Sequence, residues 1–300
     1  MKPPTSAKAT AGKEELGTKE EKTWCPGCPN SGILNSVKVA LSELVTEGKL
    51  NIKNTALVTG IGCHGKIYDY LNLNGFNGLH GRVLPVCLGM KLGNPGLTVI
   101  GFGGDGDTFD EGVSHFVHAC RYNADITMMV HTNQVFALTT GQATAVTEKG
   151  FIDGSTPLGQ GEKPINSIVL ALELGATFVA RGYALQGPHL KTLIKKAILH
   201  KGFSFIDILQ PCIVYHKHSM PYLNKNVYKI EETHDVGNLN QALEKAREWD
   251  YSYEKDTKVP IGIFYETARP TFESQWPQLR TPWHTIRRKI DWPKITREFL

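Results

Sequence analysis

The residues able to do chemistry fall into two groups. The first is a set of cysteines: Cys25 and Cys28 in a Cys-Pro-Gly-Cys pair, Cys63 after a Gly-Ile-Gly run, and Cys212 after Pro211. Four thiolates hold a soft metal, and they suit either a zinc tetrahedron or an iron–sulfur cluster. A C-x-x-C pair in a chain of cytoplasmic type is a metal or redox element rather than a structural disulfide. From the cysteines alone, structural zinc is the favoured occupant. Cys87, in an apolar stretch, and Cys120, on an apolar helical stripe, read as core thiols.

The second group is built on glycine. Gly60–Gly65 and Gly101–Gly106 both match G-x-G-x-x-G after a predicted strand. A dinucleotide site would add an acidic side chain roughly 20 residues on, at the end of the next strand. The first loop meets Leu79-His80-Gly81-Arg82 there, and the second meets Asp125 at the wrong end of its strand. Both fail. The second loop instead puts Asp105 where a phosphate would lie, and a carboxylate repels phosphate unless a divalent cation stands between them. Mg²⁺ takes oxygen donors in octahedral array, and the flanking Gly104 and Gly106 let the backbone approach the anion. A second oxygen donor should come from the end of the next parallel strand, and Asn133 closes that strand.

The elements that must position these residues alternate. Short apolar strands are predicted at 54–59, 97–102, 126–131, 177–181, 203–209 and 261–265. Helices are predicted over 31–47 with Ser31 as N-cap, 110–123, 166–174 and 188–200. Near-continuously apolar strands separated by helices predict an α/β fold, a parallel sheet flanked by helices, with ligands beyond the carboxyl ends of the strands. Three domain segments are expected: a mobile tail over 1–22, an α/β domain over 23–222, and an extension over 223–300 that packs on the domain or on a partner.

Composition narrows the class. With 41% hydrophobic and 21% charged residues, the 300-residue chain is neither disordered nor a coiled coil. No apolar run approaches the ~18 residues of a membrane-spanning helix, and the N-terminus lacks a secretory core, so a cytoplasmic protein is expected. The net charge of +4 is concentrated in Arg280–Leu300, where Arg280, Arg287, Arg288, Lys289, Lys294 and Arg297 face Asp291 and Glu298. Without interleaved stacking aromatics or a recognition fold, this is no nucleic-acid module. It reads as a solvated surface, a strap along a neighbouring subunit, or a dock for an acidic partner.

The Gly-Asp-Gly…Asn pattern resembles the thiamine-diphosphate motif, with Thr132-Asn133 in place of its paired Asn. Trp24-Cys25-Pro26-Gly27-Cys28, Gly60-Ile61-Gly62-Cys63, Leu79-His80-Gly81-Arg82, Gly104-Asp105-Gly106-Asp107, the L-T-T-G-Q of 138–142 and the run from Phe203 to Pro211-Cys212 occur in order. From about Trp24 to Pro270 the chain resembles the β subunit of a 2-oxoacid:ferredoxin oxidoreductase. The resemblance implies a thiamine-diphosphate-binding fold holding the diphosphate half of the cofactor. Asp105, Asn133 and the Val135 carbonyl would bind Mg²⁺, with Gly62, Gly104, Gly106 and Asp107 near the diphosphate. Cys25, Cys28, Cys63 and Cys212 would hold one [4Fe–4S] cluster in place of zinc.

Lys66 and His80 match family residues near cofactor and substrate, and Leu138 and Thr140 fall where the family sets substrate choice. His64, Phe136-Ala137 and Thr140 depart from the common pattern. The implied reaction is oxidative decarboxylation of a 2-oxo acid, such as pyruvate or 2-oxoglutarate, to acyl-CoA and CO₂. Coenzyme A is then co-substrate and ferredoxin the electron acceptor. A partner α subunit would supply the pyrimidine-binding module, with a γ region fused or separate. Two rival readings are a non-oxidative thiamine decarboxylase or carboligase with structural zinc, and a non-catalytic redox or assembly module.

Overall fold

The structure, a computed structural model, describes residues 16–253, 257–286 and 289–300. The strands are β1 (Thr55–Thr59), β2 (Asn74–Asn77), β3 (Thr98–Gly104), β4 (Ile126–Thr132), the short pair β5 (Val135–Phe136) and β6 (Gln142–Ala143), β7 (Phe178–Tyr183), β8 (Phe203–Leu209), β9 (Val227–Lys229) and β10 (Val259–Glu266). The helices are α1 (Asn30–Thr46), α2 (Ile67–Tyr70), α3 (Val83–Gly93), α4 (Val113–Tyr122), α5 (Ser167–Glu173), α6 (Gly187–Leu199), α7 (Ser219–Asn226), α8 (Leu239–Ala246) and α9 (Trp292–Glu298).

β4 and β8 are buried along their whole length, and they take the middle of an eight-stranded sheet ordered β2-β1-β3-β4-β8-β7-β10-β9. From β2 to β7 every neighbouring pair is parallel. Side chains alternate between the faces, as the two-residue strand period requires. Ile126, Met128 and Val130 join one core with α3, α4, α5 and α8, whereas Met129, Ile206 and Ile208 join the other with α1, α2 and α6. Along α1, Ile33, Val37, Leu41 and Leu44 are fully buried. Each such side chain contributes roughly 1.5–3 kcal/mol when removed from water.

Two expectations need correction. Ser31 is not an N-cap: Pro29 occupies that position without a side-chain bond, because the turn through Cys28 runs straight into α1. The helix expected from residue 110 starts at Val113, because Gly106–Asp110 winds as a wider π turn in which Glu111 N–H donates to Gly106 O at 3.2 Å. The chain after 222 continues the sheet as far as Glu266. β10 pairs antiparallel with β7, placing Gly262 opposite Arg181, and β9 pairs with β10.

The packed chain also begins before residue 23. Leu16 is buried in the α1 core, and its carbonyl accepts from Asn72 N–H at 3.0 Å. With Thr18 N–H donating to Tyr70 O at 3.5 Å, this apolar anchor seats the first described residues against α2, while residues 18–22 are exposed. Residues 1–15 of the expected tail, and Arg287 and Arg288 of the basic segment, lie outside the described residues. Arg280, Lys289, Lys294 and Arg297 are exposed. Among the described residues, no helix is long and apolar enough to cross a membrane.

Candidate functional site

β1, β3, β4 and β8 are parallel neighbours, so their carboxyl ends share one edge of the sheet. The chain leaves them through Gly60–Cys63, Asp105, Asn133 and Pro211-Cys212 respectively. The two sequence-predicted groups thereby become neighbours.

The cysteines line one cavity of about 160 Å³, together with Lys66, Asn133, Leu138 and Gln210. Cys25 and Cys28 close a tight turn, with Cys28 N–H donating to Cys25 O at 2.9 Å and Gly27 at φ +80°. Pro and then Gly at the two central positions are what a type II turn demands. Cys63 is presented by a 3-10 turn after Gly62, which takes φ +146°, and its carbonyl accepts from the Trp24 indole at 2.7 Å. Burial, and then the neighbouring Cys63, Cys25 and Cys212, push the Cys28 thiol up to about 11. Such crowding of thiols suits a site that a multiply charged metal completes.

Spacing separates the two candidate metals. Zinc–thiolate bonds of ~2.3 Å give a tetrahedron with sulfurs about 3.8 Å apart. Among the described residues, no three of these sulfurs come within 4.8 Å of one another. The four thiols fit a larger, cluster-sized group better than a single zinc ion.

A second cavity, of about 70 Å³, is lined by Gly62, His80, Gly104, Asp105, Gly106, Asp107, Asn133, Val135 and Leu138. It shares Cys63, Asn133, Ala137 and Leu138 with the first. Its described lining contains two carboxylates and no Lys or Arg, so a diphosphate would enter with a divalent cation. Asp105 is buried, its Oδ2 accepting from Thr144 Oγ1 at 2.7 Å and its Oδ1 from Asn133 N–H at 3.5 Å. Burial pushes its carboxyl up to about 7, which marks a carboxylate lacking a counter-charge. Carboxylate, amide oxygen and main-chain carbonyl are the hard oxygen donors Mg²⁺ takes. A Cβ at Gly106 would overlap the Phe136 ring, so backbone forms that wall.

Asp107 does more than line the cavity. Its Oδ1 accepts from Gly81 N–H at 2.7 Å and lies 2.9 Å from His80 Nδ1, while Oδ2 is 3.6 Å from His64 Nε2. Burial opposes its charge, but His64, Gly81 and His80 hold it ionised and below the usual carboxylate range. It thus fixes the His80 loop over the cavity.

Residues 60–208 match the family described as thiamine pyrophosphate enzyme, C-terminal TPP binding domain. Residues 212–281 match the family of the C-terminal region of the pyruvate ferredoxin oxidoreductase beta subunit. The chain is 44% identical to the 2-oxoacid:ferredoxin oxidoreductase subunit beta of Saccharolobus solfataricus, over 88% of each chain. The chain belongs to the 2-oxoacid:ferredoxin oxidoreductase β-subunit family. To the 2-oxoglutarate synthase subunit KorB of Archaeoglobus fulgidus, this family member is 37% identical over 86% of its own length and 89% of the relative's. A solved 2-oxoglutarate:ferredoxin oxidoreductase from Magnetococcus marinus, with 2-oxoglutarate, coenzyme A and succinyl-CoA bound, superposes with a TM-score of 0.85 at 31% identity, covering 95% of both chains.

Two residues singled out in this β-subunit sequence stand apart from the diphosphate cavity. Lys66 lines the cysteine cavity, its Nζ donating to Thr23 O at 2.9 Å. Thr140 lines neither cavity. It sits at φ +82° in the turn between β5 and β6, with its hydroxyl on Thr139 O at 2.5 Å. Sequence reasoning missed Thr144 and Gln210. Asn133 Nδ2 donates to Gln210 Oε1 at 3.2 Å, and Gln210 Nε2 lies 3.8 Å from Cys28 Sγ. Gln210 was within reach, since it directly follows the strand ending at Leu209 and precedes Pro211-Cys212.

Proposed function

We infer that this β subunit works with an α subunit as a CoA-dependent 2-oxoacid:ferredoxin oxidoreductase in the cytoplasm. The reaction converts a 2-oxo acid and coenzyme A to acyl-CoA and CO₂, and reduces ferredoxin. The observation that carries the reading is the shared wall. Cys63, Asn133, Ala137 and Leu138 border both the four-cysteine cavity and the Asp105 cavity.

Asp105, Asn133 and the Val135 carbonyl would hold Mg²⁺ and, through it, the diphosphate of thiamine diphosphate. Cys25, Cys28, Cys63 and Cys212 would hold a [4Fe–4S] cluster. When bound, the thiazolium supplies the electron sink for loss of CO₂, and the cluster supplies one-electron acceptors. The chain's own residues do the positioning. Gly62, Gly104 and Gly106 bring backbone against the diphosphate. Asp107 holds the His80 ring at the cavity wall, and from there its other nitrogen would exchange a proton with the bound reactant. Lys66 sets a positive charge beside the cysteines, and half-exposed Leu138 borders the space for the 2-oxo acid side chain. The α subunit would complete the site with the pyrimidine-binding module, and the C-terminal arm, exposed and rich in Trp and basic residues, would meet it or ferredoxin.

An anaerobic visible spectrum of the chain co-purified with its partner tests this. Brown absorbance that bleaches on adding 2-oxoglutarate or pyruvate with coenzyme A is the expected result. The Cys212→Ser complex should lose iron, whereas the Cys87→Ser complex, changed at a buried core thiol, should keep it. A colourless, zinc-containing complex would overturn the reading.

A further inference from the structure

A third group of metal-ligating side chains lies outside both cavities. Glu148, on the loop after β6, meets His216 and His218, on the segment after Cys212. One ligand atom from each lies within 4.8 Å of the others. His216 Nε2 stands 3.0 and 2.9 Å from the two Glu148 oxygens, and His218 Nε2 stands 2.8 Å from Oε1. His216 is buried, its ring held between Phe151 and Tyr253 at centroid distances of 5.2 and 5.3 Å. Its Nδ1 is buried without a hydrogen-bond partner, so Glu148 is the group that its polar edge addresses. The His218 side chain is 54% exposed, which leaves one side of the group open to water.

The two imidazoles face one carboxylate with ring centroids 4.4 Å apart. Neutral rings can meet the carboxylate through Nε2–H; in the other tautomer, with the ring proton on Nδ1, the two Nε2 lone pairs and the carboxylate make a nitrogen–nitrogen–oxygen donor set. Neutral imidazole is the form in which His binds a divalent cation, and the carboxylate offsets part of that ion's charge. Ligand atoms in a tetrahedral zinc site are about 3.3 Å apart; the two imidazole–carboxylate spacings of 2.8–3.0 Å would open by a few tenths of an ångström, and the two imidazole nitrogens already lie within 4.8 Å of each other.

We propose that Glu148, His216 and His218 form a divalent transition-metal site of the zinc class, with solvent in the fourth position. The ion clips two coverings together. One loop carries Thr144, which donates to Asp105, and Ala145, whose N–H donates to Asp110 Oδ2 at 3.0 Å. The other segment begins at Cys212, four residues before His216. The assignment depends on neither cofactor.

The test uses the anaerobically purified complex with its partner, stripped of loosely held metal by a mild chelator and checked for unchanged iron. Zinc is then titrated against a chromophoric chelator, and zinc and iron are counted by mass spectrometry. The expected result is one zinc per β chain beyond the iron, raising the melting temperature. His218→Ala, at an exposed position, and Glu148→Gln should each weaken that binding at least tenfold with iron content unchanged. Absence of stoichiometric zinc in the wild type, or equal zinc binding by wild type and His218→Ala, would overturn the proposal.

Discussion

The side-chain amide of Asn133 donates to Gln210 Oε1 at 3.2 Å, while the amide of Gln210 reaches toward Cys28 Sγ, 3.8 Å away. One glutamine therefore touches a residue of each cavity. Fixing the Asn133 nitrogen also fixes its oxygen, the proposed Mg²⁺ donor, which accepts from Val135 N–H at 3.0 Å. Gln210→Leu frees that amide to turn. Binding of thiamine diphosphate with Mg²⁺ should weaken about tenfold, or about 1.4 kcal/mol, by calorimetry. Unchanged affinity would show that Gln210 does not orient Asn133.

Asp105→Asn separates the cost of a buried charge from its use. Burial already pushes this carboxyl up to about 7, so the ligand-free protein gains nothing from its ionisation. The variant should melt at the same temperature as the wild type or above it. It should lose the extra protection that thiamine diphosphate with Mg²⁺ gives the wild type. A ligand-free variant that melts well below the wild type would contradict this account.

Asp207 anchors the core beneath the site. It accepts from Arg181 Nε at 2.9 Å, from Tyr251 at 2.5 Å and from Thr132 Oγ1 at 2.5 Å. Arg181 is fully buried beside the rings of Trp249, Tyr251 and Phe264. Asp207→Ala strands that guanidinium without its counter-charge, and urea unfolding should show a loss of about 3–5 kcal/mol. Because Thr132 precedes Asn133, thiamine diphosphate binding should weaken as well.

His200 gives a stability change with a defined sign. Burial holds its imidazole below the usual 6.5, although Glu266 and Asp125 pull the other way and Lys201 adds to the lowering. The unfolded chain therefore takes up this proton at a higher pH than the folded chain. Stability from this group is present above pH 6.5 and declines as pH falls through the folded pKa. His200→Gln should flatten the slope of melting temperature against pH below 6.5, and an unchanged slope would assign the dependence elsewhere.

What is legible in the sequence follows a physical divide. β8 is bounded correctly at 203–209 because seven consecutive buried positions leave an unbroken apolar run. β2 escapes notice because N-G-F-N lies at the sheet edge, exposed along its length, where no apolar pattern is needed. α3 escapes it because Pro85 and two glycines interrupt its pattern, yet Pro85 lies in the first turn, where its missing N–H is harmless. Asp105 and Asn133 are legible because strand ends announce them. Thr144, Gln210 and the Glu148–His216–His218 group are not, because loops folding over one another bring their partners in, and no spacing rule encodes that.

Cys63, Asn133, Ala137 and Leu138 each border both cavities. A change to one of them is felt on both sides. If the proposed assignments hold, a substitution at Leu138 or Ala137 made to admit a different acid would also reshape the apolar casing of the proposed cluster, altering its solvent access and hence its potential. Selectivity and driving force would then be inherited as a pair, and directed evolution of one would carry the other with it.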